Sequence, residues 1–119
     1  DAGMSWDVEL IDDRGHIEAE WNYTHNTNRM IAAALADLGE QVPDHFLVGP
    51  TWWDRLNGMS GPDGAKYLHT IAESLGRDPD RFRAMNPENG WGNYDRLLRL
   101  LREMAASVPE WPCHWEACG

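Results

Sequence analysis

The most constraining feature of this chain is a change of hydrophobic period at Asn22–Asn28. Before it, apolar residues alternate. Trp6, Val8 and Leu10 stand opposite Asp7 and Glu9, then Ile17, Ala19, Trp21 and Tyr23 stand opposite Glu18, Glu20, Asn22 and Thr24. Period two means two strands with one buried face each, and Asp12-Asp13-Arg14-Gly15 between them is turn chemistry, so residues 4–24 read as an antiparallel hairpin. After it, Met30, Ile31, Ala34, Leu35 and Leu38 repeat with helical spacing, and Gly39 sits where a C-terminal glycine belongs. Asn26, Thr27 or Asn28 supplies the cap.

Helical segments then follow one another. Thr51-Trp52-Trp53-Asp54 has capping-box spacing ahead of Gly58, and Ser60-Gly61-Pro62-Asp63 opens a helix that Gly76 ends. Asp78-Pro79 starts another turn or two, and Tyr94, Leu97, Leu98, Leu101, Met104 and Ala105 form the most regular stripe, predicting the most buried helix over about 93–107. Pro109 and Pro112 stop it, and Cys113, Trp115 and Ala117 alternate with His114 and Glu116 as a third, edge-like strand near 112–117. The fold class is therefore α+β: a small antiparallel sheet, the N-terminal hairpin plus a C-terminal strand, covered by four or five helices.

With 119 residues the chain makes one domain, read as 4–119 after a short appended remnant, Asp1-Ala2-Gly3. Seven tryptophans supply much of its core, each removing roughly 150–250 Å² from water. A formal charge of −10 argues against direct binding of nucleic acid or an anionic membrane through a basic patch. No apolar run is long enough to span a membrane and no signal peptide is visible, which predicts a cytoplasmic protein with free thiols at Cys113 and Cys118.

Two asparagine-rich junctions carry the candidate chemistry. The first is Asn22-Tyr23-Thr24-His25-Asn26-Thr27-Asn28, and the second runs from Met85 to Asn93 through Asn89-Gly90-Trp91-Gly92. Each precedes a helix start, where backbone N–H groups lack partners and the dipole favours negative charge. If they converge, Asn22, Thr24, Asn26 and Asn89 would hydrogen-bond a polar ligand, the Gly90–Gly92 backbone would approach it closely, and Tyr23 or Trp91 would stack on it. The competing structural role is capping and turn closure, with Trp91 as a core plug. His25 is the candidate for catalysis, through a relay with Thr24 and Glu18 or Glu20. Cys113, His114 and Cys118 are too few and too close in sequence for a typical zinc site, so no metal and no cofactor are expected. The tandem Trp52-Trp53 either offers one exposed ring beside Arg55 to a partner or wedges under the connector at 40–50.

The segments Trp21-Asn22-Tyr23-Thr24-His25-Asn26, Gly58-Met59-Ser60-Gly61 and Met85–Tyr94 together resemble a family of short proteins of bacteriophages and of actinobacterial and other bacterial genomes. Its marks are Asn-x-Thr-x-Asn after the opening hairpin, a glycine-rich mid-chain step, and Asn-Gly-Trp-Gly-x-Tyr before the last long helix. The resemblance spans Trp6 to Trp115 and implies a phage or prophage accessory protein, acting in the host cytoplasm, with the two junctions as its signature. The family brings no activity with it. Three function classes remain: a non-enzymatic domain binding a small anionic or nucleotide-like ligand at the junctions, an acidic inhibitor docking a basic host protein through Asp7, Glu9, Asp12, Asp13, Glu18 and Glu20, and a small hydrolase or zinc protein.

Overall fold

The computed structural model describes residues 5–45 and 48–119; the N-terminal remnant expected at 1–3 and two connector positions lie outside the described residues. Three strands form one antiparallel sheet: β1 (Ser5–Asp12), β2 (Ile17–Thr24) and β3 (Cys113–Cys118), in the order β2-β1-β3. Between β2 and β3 come a 3₁₀ turn (His25–Thr27) and five helices, α1 (Asn28–Ala36), α2 (Trp52–Leu56), α3 (Gly61–Gly76), α4 (Pro79–Arg83) and α5 (Tyr94–Ala105). The fold class is the one the periodicities imply.

Local chemistry explains the boundaries. The Asp12 carboxylate accepts from the N–H groups of Arg14 and His16, and Gly15 takes the positive φ of 85° that closes the hairpin turn. Thr51 and Asp54 cap α2 reciprocally, Ser60 caps α3 with Pro62 in its first turn, and Asn93 caps α5. These three helices start where side chains satisfy orphan N–H groups, whereas α1, which follows Thr27, and α4, which follows Asp78, have no side-chain cap, so the cap expected for α1 from Asn26, Thr27 or Asn28 is not made.

The core lies between the sheet's inner face and the helices. Trp6, Val8 and Leu10 from β1 and Trp115 from β3 are fully buried, joined by Met30, Ile31, Leu35, Leu56, Leu68, Ile71, Leu97 and Leu101. Trp52 and Trp53 are both buried, which removes the exposed-ring role one of them was a candidate for. The central helix is α3 rather than α5, because α3 touches α1, α4, α5 and β3, while α5 turns an arginine-bearing side outward. A regular stripe reports how a helix is buried on one side and says little about how many neighbours surround it.

Two glycines let α3 lie against β3. A Cβ at Gly64 would stand 2.1 Å from Trp115 Cδ1, and one at Gly61 would meet the Cys113 sulfur at 2.4 Å. The closeness lets the Trp115 indole donate to the Gly61 carbonyl at 2.9 Å, satisfying a buried N–H. Gly64→Ala is expected to lower stability by about 1–3 kcal/mol or more, since Trp115 has no room to retreat. Its urea midpoint, compared with that of Ala65→Gly on the same helix, checks this.

Candidate functional site

The two junctions meet. The Tyr23 hydroxyl accepts from the Asn93 N–H at 2.9 Å, and the Asn26 side-chain amide donates to the Trp91 carbonyl at 3.3 Å. Gly92, at φ 97°, lies so close that a Cβ there would sit 2.5 Å from Thr24 Cγ2 and 3.1 Å from Thr27 Cγ2. Residues some seventy positions apart in sequence are thereby locked into one surface.

Much of their polar chemistry is spent on holding that lock. Asn22 turns its amide to the Trp6 carbonyl, the Asp7 carboxylate and the Ser5 hydroxyl, and Thr24 accepts from the Asn26 N–H as the cap of the 3₁₀ turn. Asn86 and Asn93 accept from the first N–H groups of α5, and Asn89 accepts from the Trp91 N–H. The two junctions interlock directly, while Asn22 is spent on β1 and Thr24 on the 3₁₀ turn.

Trp91 departs from the core-plug expectation. Its ring is 67% exposed, and the neighbouring aromatic Tyr94 takes the core position instead, at 1%. Asn89 holds the Trp91 N–H and Asn26 holds its carbonyl, while Gly90 and Gly92 on either side both adopt positive φ. The indole is thus presented outward on a pinned backbone. Among the described residues, the Asn26 side-chain carbonyl and the NH₂ groups of Asn89 and Asn93 carry no hydrogen bond, so amide groups beside the Trp91 backbone are left free.

Beside this surface Asn26 also lines a cleft of about 240 Å³, shared with His25, Asn28, Arg29, Asp44, His45 and Trp53. Asn28 belongs to the first junction and Arg29 follows it, but nothing in the sequence spacing pointed to Asp44, His45 or Trp53 as neighbours. Arg29 is anchored by one nitrogen on the Met85 carbonyl at 2.6 Å, leaving its other donors free. The His25 ring packs on Trp53, with centroids 4.9 Å apart, and its Nδ1 lies 2.7 Å from the Asn28 amide nitrogen. Asn28 turns its oxygen toward the Trp52 indole N–H, so its NH₂ faces His25 and the imidazole proton belongs on Nε2, which is buried without a partner.

This geometry removes the relay proposed for His25, whose ring contacts Asn28 rather than Thr24 or a carboxylate. Burial lowers the His25 pKa from its ordinary value near 6.5, opposed by the charge of Asp7. At the other end of the chain, Cys113 is buried and Cys118 exposed, on opposite faces of β3, so they and His114 do not converge. Among the described residues no group of three His, Cys, Asp or Glu side chains is placed to hold a metal ion.

The sheet's outer face is the second candidate. Register sets Glu9 directly opposite Glu20 on β2 and Glu116 on β3, a rung of three carboxylates across all three strands. Asp7 occupies the next rung, between Asn22 and Cys118. All three strands are free of lysine and arginine, and the helices lie on the other side.

The lowered His25 pKa makes stability depend on pH. Between the folded and the unfolded pKa the unfolded chain holds the extra proton, so this contribution is complete above about pH 6.5 and is lost as pH falls below it. His25→Gln is expected to flatten that acid limb in urea titrations followed from pH 7.5 to pH 5. A wild-type midpoint that does not fall over this range contradicts the buried neutral imidazole. No family model, no curated protein and no solved structure matches this chain.

Proposed function

We propose that this protein is a non-enzymatic binding domain, of phage-accessory type, that takes a small polar ligand where its two junctions meet. The observation that carries this is the presentation of Trp91: an indole 67% exposed on a backbone pinned by Asn26 and Asn89. A large exposed ring offers a stacking face, and a rigid mount lowers the entropy that binding must overcome. Free amides of Asn26, Asn89 and Asn93 provide donors and an acceptor beside the Trp91 backbone. The adjoining cleft adds the Arg29 guanidinium, which suits an anionic group, so a planar, anionic, nucleotide-like molecule fits the set. Asp44 on the cleft wall would disfavour an anion placed deep within it, which puts the charged group on the Arg29 side.

A thermal-shift screen of mononucleotides and signalling dinucleotides tests this reading. Ligand at a hundred times its Kd adds about 2.7 kcal/mol to apparent stability. Trp91→Ala is expected to abolish the shift while changing the stability of the free protein by no more than about 0.5 kcal/mol, as for other surface substitutions. If no member of the screen shifts the transition, or if Trp91→Ala shifts as the parent does, the reading fails.

The rung of Glu20, Glu9 and Glu116 favours a second reading, in which the sheet's outer face docks a basic protein. Like charges directly opposite on neighbouring strands destabilise a sheet, and among the described residues of the strands only His114, 3.5 Å from Glu116, is placed to relieve them. A cationic partner would gain from each of them, with strong dependence on salt. Glu9→Gln, which removes the middle charge, is expected to raise stability by about 0.2–1 kcal/mol. A denaturant midpoint that is unchanged or lower would mean that the rung carries no such repulsion.

A further inference from the structure

The acidic sheet face has a counterpart on the helical layer of the same molecule. Where α3 and α5 run side by side, Lys66 and His69 face Arg102 across a shallow groove of about 340 Å³. Arg102 and Ala106 continue into a larger groove of about 700 Å³ that also holds Arg99 and Leu98. Arg83 in that larger groove is occupied by Asp95, at 2.8 Å. Lys66, Arg99 and Arg102, by contrast, make no ion pair among the described residues. In a chain with only ten lysines and arginines against twenty carboxylates, three unpaired cations along one seam are a marked concentration.

We propose that the acidic sheet face of one molecule docks on the α3–α5 seam of a second copy. This rests on the reading of the sheet face as a docking surface and names its partner. Glu9, Glu20 and Glu116 meet Lys66, Arg99 and Arg102, which outnumber Glu103, a carboxylate that also lines the seam, and Leu98 and Ala106 give it an apolar floor. The two surfaces belong to different layers of the fold, one on the sheet and one on the helices. The contact is therefore head to tail, and each added molecule leaves one free face of either kind, so association continues beyond a dimer unless the rotation closes a ring. The net charge of −10 opposes association at long range. At about 0.15 M salt, however, screening acts over about 8 Å, which weakens the overall repulsion much more than charge pairs in direct contact.

Sedimentation velocity with charge-reversed variants decides the matter. Wild-type protein at about 0.15 M salt is expected to form species larger than the monomer as concentration rises, and about 1 M salt should dissolve them. The double variant E9K/E20K and the double variant R99E/R102E, each confirmed as folded by circular dichroism, should remain monomeric alone. Mixed together, they should associate, because the intact sheet face of one meets the intact seam of the other and the two reversed surfaces are again opposite in charge. A wild-type monomer at every concentration, or a mixture that stays monomeric, overturns the proposal. A labelled oligo-arginine peptide separates the two levels of failure. If it binds wild type and the control E73K/E88K but not E9K/E20K, the second copy is excluded and the docking face stands. If it binds E9K/E20K as tightly as wild type, both fall.

Discussion

The surface of this protein is organised around the close approach of Gly92 to Thr24 and Thr27. A side chain at Gly92 could not be accommodated there, with Thr24 Cγ2 only 2.5 Å from where its Cβ would stand. That contact lets the Tyr23 hydroxyl reach the Asn93 N–H and lets Asn26 reach the Trp91 carbonyl. It ties the end of β2 to the start of α5, the helix most distant from that strand in sequence. The exposed Trp91, the free amides beside its backbone and the position of the His25 cleft all follow from this one lock. Each junction amide that is consumed internally holds another group in place, as Asn26 and Asn89 hold the Trp91 backbone.

Charge is distributed in a way that separates this surface from the rest. The strands carry no lysine or arginine, and every one of those residues except Arg14 at the hairpin tip lies beyond the hairpin, in the helical part of the chain. Ion pairs such as Arg81 with Asp37 and Arg55 with Glu40 are exposed and screened by solvent, so they contribute little. The burial of Trp6, Trp52 and Trp115 dominates stability, and the surface charge pattern is free to serve association. The Glu20–Glu9–Glu116 rung is a feature that folding alone does not favour, which is why a partner is sought for it.

How much of this could be read from the sequence depends on the range of the interaction concerned. Local signals were legible: the period-two stretches placed both hairpin strands, and Ser60, Asn93 and the Thr51–Asp54 pair marked helix starts because capping depends only on neighbours. The sheet order was not legible, since alternation in Cys113–Cys118 shows a strand with a buried face but not whether it pairs with β1 or β2. Glu116 was therefore not joined to Glu9 and Glu20, although the acidic hairpin itself was apparent. The junctions were visible as composition, yet their division of labour was not. Asn22 has the same side chain as Asn26, and only tertiary contacts decide which amides are left free. Trp91 read equally well as a core residue because hydrophobicity carries no information about the two pinned peptide bonds that hold it at the surface. The cleft drew on Arg29, His45 and Trp53, brought together by a connector whose path no periodicity encodes.

The claim that the junctions form one rigid, interlocked surface can be tested at a single hydrogen bond. The Asn93 N–H lies outside α5 and, among the described residues, has only the Tyr23 hydroxyl as its acceptor, at 2.9 Å. Amide hydrogen exchange followed by NMR is predicted to find this N–H protected in the wild-type protein and to find that protection lost in Tyr23→Phe. The Tyr94 N–H, which Asn86 satisfies from within the second junction, should remain protected in both. An Asn93 amide that exchanges freely in the wild type, or that is equally protected without the Tyr23 hydroxyl, would contradict the lock and with it the fixed presentation of Trp91.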